Sequence, residues 1–204
     1  SIDRITADYQ KNITREEFCE LLVKLYQTLT NSSLSYDSNV FTDTHNPEVL
    51  KAYKLGIVHG VSEGKFAPDA FINRQEICVM LVRAIDMAIP DSEITEFKTN
   101  DFKDRALIAN WAIDAVDYAY EKEIIKGIGE NKIDPLGNTT CEQAVLLGYR
   151  VFVNKDQFIF NQTGHNIVIN NGGLYVKYKN SVYYRENNAD SFEKSALFAD
   201  YIYT

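Results

Sequence analysis

Apolar positions along the chain fall into three stretches that share one rhythm. The first is Phe18, Leu21, Leu22, Leu25, Tyr26 and Leu29, the second Ile77, Met80, Leu81, Ala84, Ile85 and Ala88, the third Ala144, Leu147, Gly148, Val151 and Phe152. The i, i+3, i+4, i+7 spacing puts each set on one face of an α-helix. The same chemistry opens each stretch. Thr14, Asn73 and Thr140 stand at N-cap positions, and Glu17, Glu76 and Gln143 follow three residues later, which predicts a capping box in every copy. Ile13 with Phe18, and Ile72 with Ile77, add a hydrophobic staple, which Thr139 and Ala144 provide only weakly in the third copy. Three equivalent helices with equivalent stripes are expected to pack on one another around an approximate threefold axis.

The repetition extends between the long helices. Gly56 to Pro68 lies on Glu123 to Pro135 when shifted by 67 residues, with Ile57, Gly60, Glu63, Lys65 and Pro68 meeting Ile124, Gly127, Glu130, Lys132 and Pro135. Ile13 to Cys19 lies on Ile72 to Cys78 when shifted by 59. Asn46 and Pro47 predict the N-cap and first turn of a short helix through Leu55, and Asn110 and Trp111 open another through Lys122. Each short helix follows Phe-x-Asp, at Phe41 to Asp43 and Phe102 to Asp104, and leads into a turn with a short extended piece. The 59-residue offset sets Ser1 opposite Gly60, so residues 1–12 have no room for a short helix ahead of Ile13. The reading is a chain that begins inside a longer domain, with a degenerate first repeat as the alternative.

Helical periodicity stops after Asn154. Tyrosines crowd the remainder, Asn170 to Gly173 is a turn signal, and Leu174 to Lys179 and Val182 to Arg185 read as a hairpin. Phe158 to Phe160 and Ile167 to Ile169 are expected strands ahead of it. The division is therefore residues 1–153, mainly α, and residues 154–204, β-rich.

Composition narrows the function classes. The chain has 204 residues, 45% apolar and 25% charged, with 21 basic against 29 acidic side chains and a net charge of −8. An acidic chain is a poor sequence-independent nucleic-acid binder. No run of apolar residues is long enough to span a bilayer. Cys19, Cys78 and Cys141 form no CxxC pair. His45, His59 and His165 lack metal or triad spacing, and no nucleophile elbow, P-loop or dinucleotide fingerprint occurs. Nothing in the sequence asks for a metal, a cofactor or a catalytic residue.

Taken in order, Phe41-Thr-Asp43, Gly56-Ile-Val-His-Gly60, Gly64-Lys-Phe-Ala-Pro68 and Ile72-Asn-Arg-Gln-Glu76 form one set, and Phe102-Lys-Asp104, Trp111-Ala112, Ile124-Ile-Lys-Gly127 and Lys132-Ile-Asp-Pro135 the next. This ordered set resembles the S-layer homology (SLH) family. The resemblance implies three repeats in a pseudo-threefold fold, with a central three-helix bundle and short peripheral helices. It implies an exported, extracellular protein held on the cell wall or surface layer by secondary cell-wall polysaccharide, often pyruvylated, with other surface-layer subunits as further partners. The alternative is a protein-interaction or surface-array module that has lost glycan binding. The family's anion-binding arginine maps to Arg15 and Arg74, while Cys141 stands in its place in the third copy. The tail resembles the opening blade of a β-propeller-type module, and a small β appendage is the other reading.

Physical chemistry bears on each of these residues. Each Arg sits beside a helix N-cap, where unsatisfied backbone N–H groups favour an anion, and a guanidinium adds a charge-assisted fork. The competing assignment is an intramolecular ion pair with Asp43, Asp104 or a neighbouring Glu. Trp111 is either a sugar platform or a core residue. Gly60 and Gly127 are either left-handed or close-approach turns, with backbone contact to ligand as a further role. Cys19 and Cys78 are expected to be buried, inert thiols, whereas a helix start at Cys141 would favour its thiolate.

Overall fold

The computed structural model describes residues 8–36, 39–89, 99–155 and 158, together with the backbone of four strands between 167 and 195. Among the described residues the α-helices are α1 (Arg15–Thr30), α2 (Pro47–Lys54), α3 (Arg74–Ala88), α4 (Ile113–Glu121) and α5 (Cys141–Val153). A 3-10 turn, Arg105–Leu107, precedes α4. The first unit of the chain is mainly helical.

All three long helices begin with the expected reciprocal cap. Thr14, Asn73 and Thr140 accept from the amides of Glu17, Glu76 and Gln143 at 3.2, 3.0 and 3.3 Å, and those side chains accept from the N-cap amides in return. Two otherwise orphaned N–H donors are thereby satisfied at each start. α1, α3 and α5 each touch the other two. Phe18, Ile77 and Ala144 are buried at one level of the bundle, and Leu25, Ala84 and Val151 at another. At the level between, Leu22 and Leu81 are buried with Gly148, where an added Cβ would lie 3.0 Å from Leu21 Cδ2, so α1 and α5 approach closely there.

The approximate threefold axis shows itself in the backbone. The N–H of Ile13 bonds the carbonyl of Thr139, that of Thr139 bonds Ile72, and that of Ile72 bonds Ile13, at 2.9, 3.2 and 3.3 Å. The same circular order holds at the helix starts. Amides of α1 donate to Pro68 and Ala70, those of α3 to Pro135 and Gly137, and those of α5 to Tyr9 and Lys11. Each long helix is thus entered beside the turn that leads into the next helix of the ring. Thr139 breaks the pattern at the axis, because its buried hydroxyl has no hydrogen-bond partner among the described residues while Ile13 and Ile72 supply only carbon.

The short helices pack outside this ring, α2 on α1 and α4 on α3. Asn46 caps α2 through Glu48 N as the sequence implies. The start of α4 differs: Asn110 and Trp111 lie in a turn closed by Ala112 N to Ala109 O at 2.8 Å, and the helix begins at Ile113 without a side-chain cap. Phe-x-Asp has two separable tasks. Its aromatic ring packs edge-on against the short helix, Phe41 on Tyr53 at 5.2 Å and Phe102 on Tyr120 at 4.8 Å between centroids. Its carboxylate accepts backbone N–H groups of the following turn, Asp43 from Phe66 and Ala67, Asp104 from Ile133 and Asp134.

Residues 161–204 form a second compact unit. Its strands β1 (Ile167–Asn170), β2 (Gly173–Tyr178), β3 (Ser181–Glu186) and β4 (Glu193–Ser195) pair antiparallel in chain order, Val168 opposite Tyr175 and Tyr175 opposite Tyr184. Phe158, expected in a strand, instead lies buried in a helical turn, its N–H bonded to Lys155 O at 3.0 Å. Ile159 and Phe160 lie outside the described residues.

Candidate functional site

The first residue of each long helix meets the turn that precedes the next. Arg15 opens α1 and is buried at 9% exposure. Its Nε donates to Phe66 O at 3.2 Å, its Nη1 pairs with Glu76 Oε1 at 3.3 Å, and its guanidinium lies 5.1 Å from the Phe66 ring centroid. Glu76 therefore serves twice, with Oε2 in the α3 capping box and Oε1 on Arg15. The intramolecular partner is this neighbouring glutamate and not Asp43, whose two oxygens are taken by turn amides. Those amides favour the charged form and hold the Asp43 carboxyl below its usual range.

Arg74 stands at the same position of α3 in different company. Its Nε donates to Ile133 O and its Nη2 to Lys126 O, both at 2.7 Å. Among the described residues no carboxylate pairs with it. Lys126 and Gly127 also line a pocket of about 440 Å³, shared with Asn100, Tyr120, Glu121, Glu123 and Ile125. At the next residue of the same helix start, the side chain of Gln75 accepts from Ala109 N at 2.8 Å, which fixes the turn that carries Trp111. Trp111 is 60% exposed and belongs to the surface, not the core. The α3 start thus gathers Arg74, Gly127 and the Trp111 turn. The α1 start has no tryptophan beside it, and its arginine is already paired.

Gly60 and Gly127 are close-approach glycines. An added Cβ at Gly60 would lie 2.6 Å from Lys65 O and 2.9 Å from Ser62 O, and one at Gly127 2.9 Å from Lys132 O. The left-handed positions of the turns are others: Gly56, Gly64 and Ala67 in one copy, and Glu123, Gly129, Glu130, Asn131 and Asp134 in the next, where Glu123 and Asn131 match Gly56 and Gly64. Non-glycine residues are uncommon there, so the second turn holds two side chains that glycine replaces in the first.

At the α5 start the arginine is absent. Cys141 is fully buried, and burial together with nearby Glu17 pushes its thiol above the ordinary range, which opposes the thiolate that a helix start alone would favour. The segment docked on this start supplies Lys11, which pairs with Glu17 at 2.6 Å. Burial also raises Cys19 and pushes Cys78 up to about 12, so both are the inert thiols expected. Sequence reasoning did not find the double use of Glu76, the pocket beside Gly127, or the ion pair of Asp117 with Arg105 at 2.7 Å inside the third copy. All three depend on which turns meet in space. Among the described residues no helix is long and apolar enough to cross a membrane, and no His, Cys, Asp and Glu cluster suits a metal ion.

Comparison with known proteins bears on the same residues. Residues 42–78 and 101–145 match the S-layer homology domain. The chain is 32% identical over 136 residues to an endoglucanase of Bacillus sp. (strain KSM-635), a match covering 65% of this chain and 14% of that protein. It is 30% identical over 146 residues to an amylopullulanase of Thermoanaerobacterium thermosulfurigenes, covering 68% of this chain and 7% of the relative. A cell surface protein of Thermoanaerobacter kivui is 28% identical over 111 residues, covering 53% of this chain and 14% of its own length. The chain spans a small fraction of each of these relatives.

Proposed function

From a chain that belongs to the S-layer homology family, carrying that domain at residues 42–78 and 101–145, we propose a non-catalytic anchor that holds an exported protein on the cell surface by binding cell-wall polysaccharide. The catalytic names of the relatives belong to proteins of which this chain matches 7–14%. The observation that carries the reading is the α3 start. Arg74 spends two of its donors on carbonyls, one of them that of Lys126 in the pocket lining, and pairs with no carboxylate among the described residues, while its neighbour Gln75 holds the turn that carries exposed Trp111.

A pyruvate ketal on a wall sugar is a carboxylate. The helix N-terminus and a guanidinium favour it together, and an indole face covers the apolar side of a sugar ring. The ligand residues in this reading are Arg74, Trp111 and Gly127, with Arg15 and Gly60 forming a second groove. That groove is weaker, because Glu76 competes with any ligand carboxylate for Arg15. The third groove lacks the fixed charge that arginine gives. The pairing of Arg15 with Glu76 and the missing third arginine favour one alternative, a protein-interaction or surface-array module. Cosedimentation with cell-wall sacculi, before and after removal of the non-peptidoglycan polymer, separates the two. Binding lost with the polymer supports the anchor. Binding that survives its removal rejects it.

A further inference from the structure

Each capping side chain at the long helices has two terminal atoms and spends one of them on its cap. Thr14 N donates to Glu17 Oε2 at 3.1 Å, Asn73 N to Glu76 Oε2 at 3.0 Å and Thr140 N to Gln143 Oε1 at 3.2 Å. The second atom differs. Glu17 Oε1 accepts from Lys11 Nζ at 2.6 Å, and Glu76 Oε1 pairs with Arg15 Nη1 at 3.3 Å. In Gln143 the oxygen is held by the Thr140 amide, so the second atom is Nε2, an uncharged donor that cannot accept from a cation. Glutamine caps as glutamate does. The exchange therefore leaves the helix start intact and changes only what the side chain offers beyond it.

The repeat identifies the cation concerned. The 67-residue shift that carries Phe66 onto Ile133 also carries Glu76 onto Gln143. Arg15 and Arg74 are anchored alike, one through Nε to Phe66 O and the other through Nε to Ile133 O. Arg15 then gives an Nη group to Glu76. Arg74 gives its own to Lys126 O, in the pocket lining, and pairs with no carboxylate among the described residues. The glutamate that would occupy it is the one that the sequence replaces by glutamine. Arg74 is also the more accessible of the two, half-buried where Arg15 is buried.

We propose that Gln143 decides which helix start takes the ligand. Its neutral amide leaves Arg74 open to a ligand carboxylate, whereas Glu76 holds Arg15 in an ion pair between repeats. A carboxylate at position 143 would compete for Arg74 and repel an anion. For the natural ligand this rests on the anchor reading, to which it adds a specificity-determining residue in the helix that follows.

Two variants of the full chain test it, Gln143→Glu, which keeps a capping oxygen, and Gln143→Ala, which loses the cap without adding charge. The probe is sodium pyruvate at constant ionic strength, followed by nuclear magnetic resonance on the Arg74 Nε–H signal, which is assigned by its loss in Arg74→Ala. Pyruvate should move that signal with similar midpoints in the unsubstituted chain and in Gln143→Ala. Gln143→Glu should need about 3- to 10-fold more. Equal midpoints for Gln143→Glu and the unsubstituted chain overturn the proposal. Equal weakening by Gln143→Glu and Gln143→Ala also overturns it, because the effect would then belong to the cap. An Arg74 signal that pyruvate leaves unmoved in the unsubstituted chain overturns it as well. Cosedimentation with sacculi keeps the two readings apart: an Arg74 that answers pyruvate through Gln143, in a chain that ignores sacculi, supports this role and rejects the polysaccharide anchor.

Discussion

Replacing Arg15 by Ala should destabilise the helical unit, although a residue at the start of an exposed helix would ordinarily tolerate it. The side chain is only 10% exposed and makes three contacts: Phe66 O at 3.2 Å, Glu76 at 3.3 Å and the Phe66 ring at 5.1 Å. A hydrogen bond from a charged donor to a buried carbonyl contributes roughly 1.5–3 kcal/mol. The ion pair, with Glu76 27% exposed, is discounted for solvent screening to about 0.5–1 kcal/mol. Stacking on Phe66 adds roughly 0.5–1 kcal/mol. These terms share one side chain and do not add fully, so the expected loss is about 2–4 kcal/mol. For a unit of this size that lowers the melting temperature by roughly 5–15 °C. Urea unfolding followed by far-ultraviolet circular dichroism reads it directly, since the helices dominate that signal. Glu76→Gln keeps a side chain able to cap Asn73, so a double-mutant cycle with Arg15→Ala isolates the pair at about 0.5–1 kcal/mol. A loss below about 0.5 kcal/mol, the range of an ordinary surface change, would refute the assignment of Arg15 as a strut between repeats.

Gly60→Ala should cost roughly 1–3 kcal/mol by overpacking, because its Cβ would sit 2.6 Å from a backbone carbonyl; an unchanged denaturation midpoint contradicts the close-approach reading. Thr139→Val should stabilise the chain by about 1–2 kcal/mol, since it removes a buried hydroxyl without a partner and keeps the shape; a lower midpoint in the same assay would be the contrary result. Burial works to raise the Asp117 carboxyl, but Arg105 and the Asn100 amide outweigh it and the net shift is downward. A depressed folded-state pKa stabilises above the unfolded carboxyl value near about 3.9 and is lost as pH falls below it. Asp117→Asn should therefore destabilise at neutral pH, with a deficit that shrinks in urea titrations taken below about pH 4; a deficit independent of pH would disprove the linkage.

What was legible in the sequence was whatever repeats locally. The caps at Thr14, Asn73 and Thr140 follow from side chains three residues apart, and the stripes of α1, α3 and α5 from helical spacing alone. Asn110 misled because a capping residue type stood before an apolar run, whereas the chain there is held by Gln75 from another repeat and enters the helix three residues later. The same limit explains Arg15. Its place beside an N-cap was readable, but its partner Glu76 lies in the next repeat and is also a capping residue, a double use that periodicity does not show. Gly60 and Gly64 look alike in a motif, and only the backbone separates the glycine that needs space from the one that needs a positive φ.

The most direct test of the anchoring role is calorimetric titration of purified wall polysaccharide into the chain, into Arg74→Ala and into Trp111→Ala, each first shown to be folded by circular dichroism at the titration temperature. Losing a charge-assisted contact at roughly 1.5–3 kcal/mol should weaken binding by about 10- to 100-fold in Arg74→Ala, and removal of pyruvate from the polymer should lower the wild-type affinity while leaving that variant little changed. Equal affinities for all three proteins, or a wild-type chain that binds the polymer no better than buffer, would contradict it.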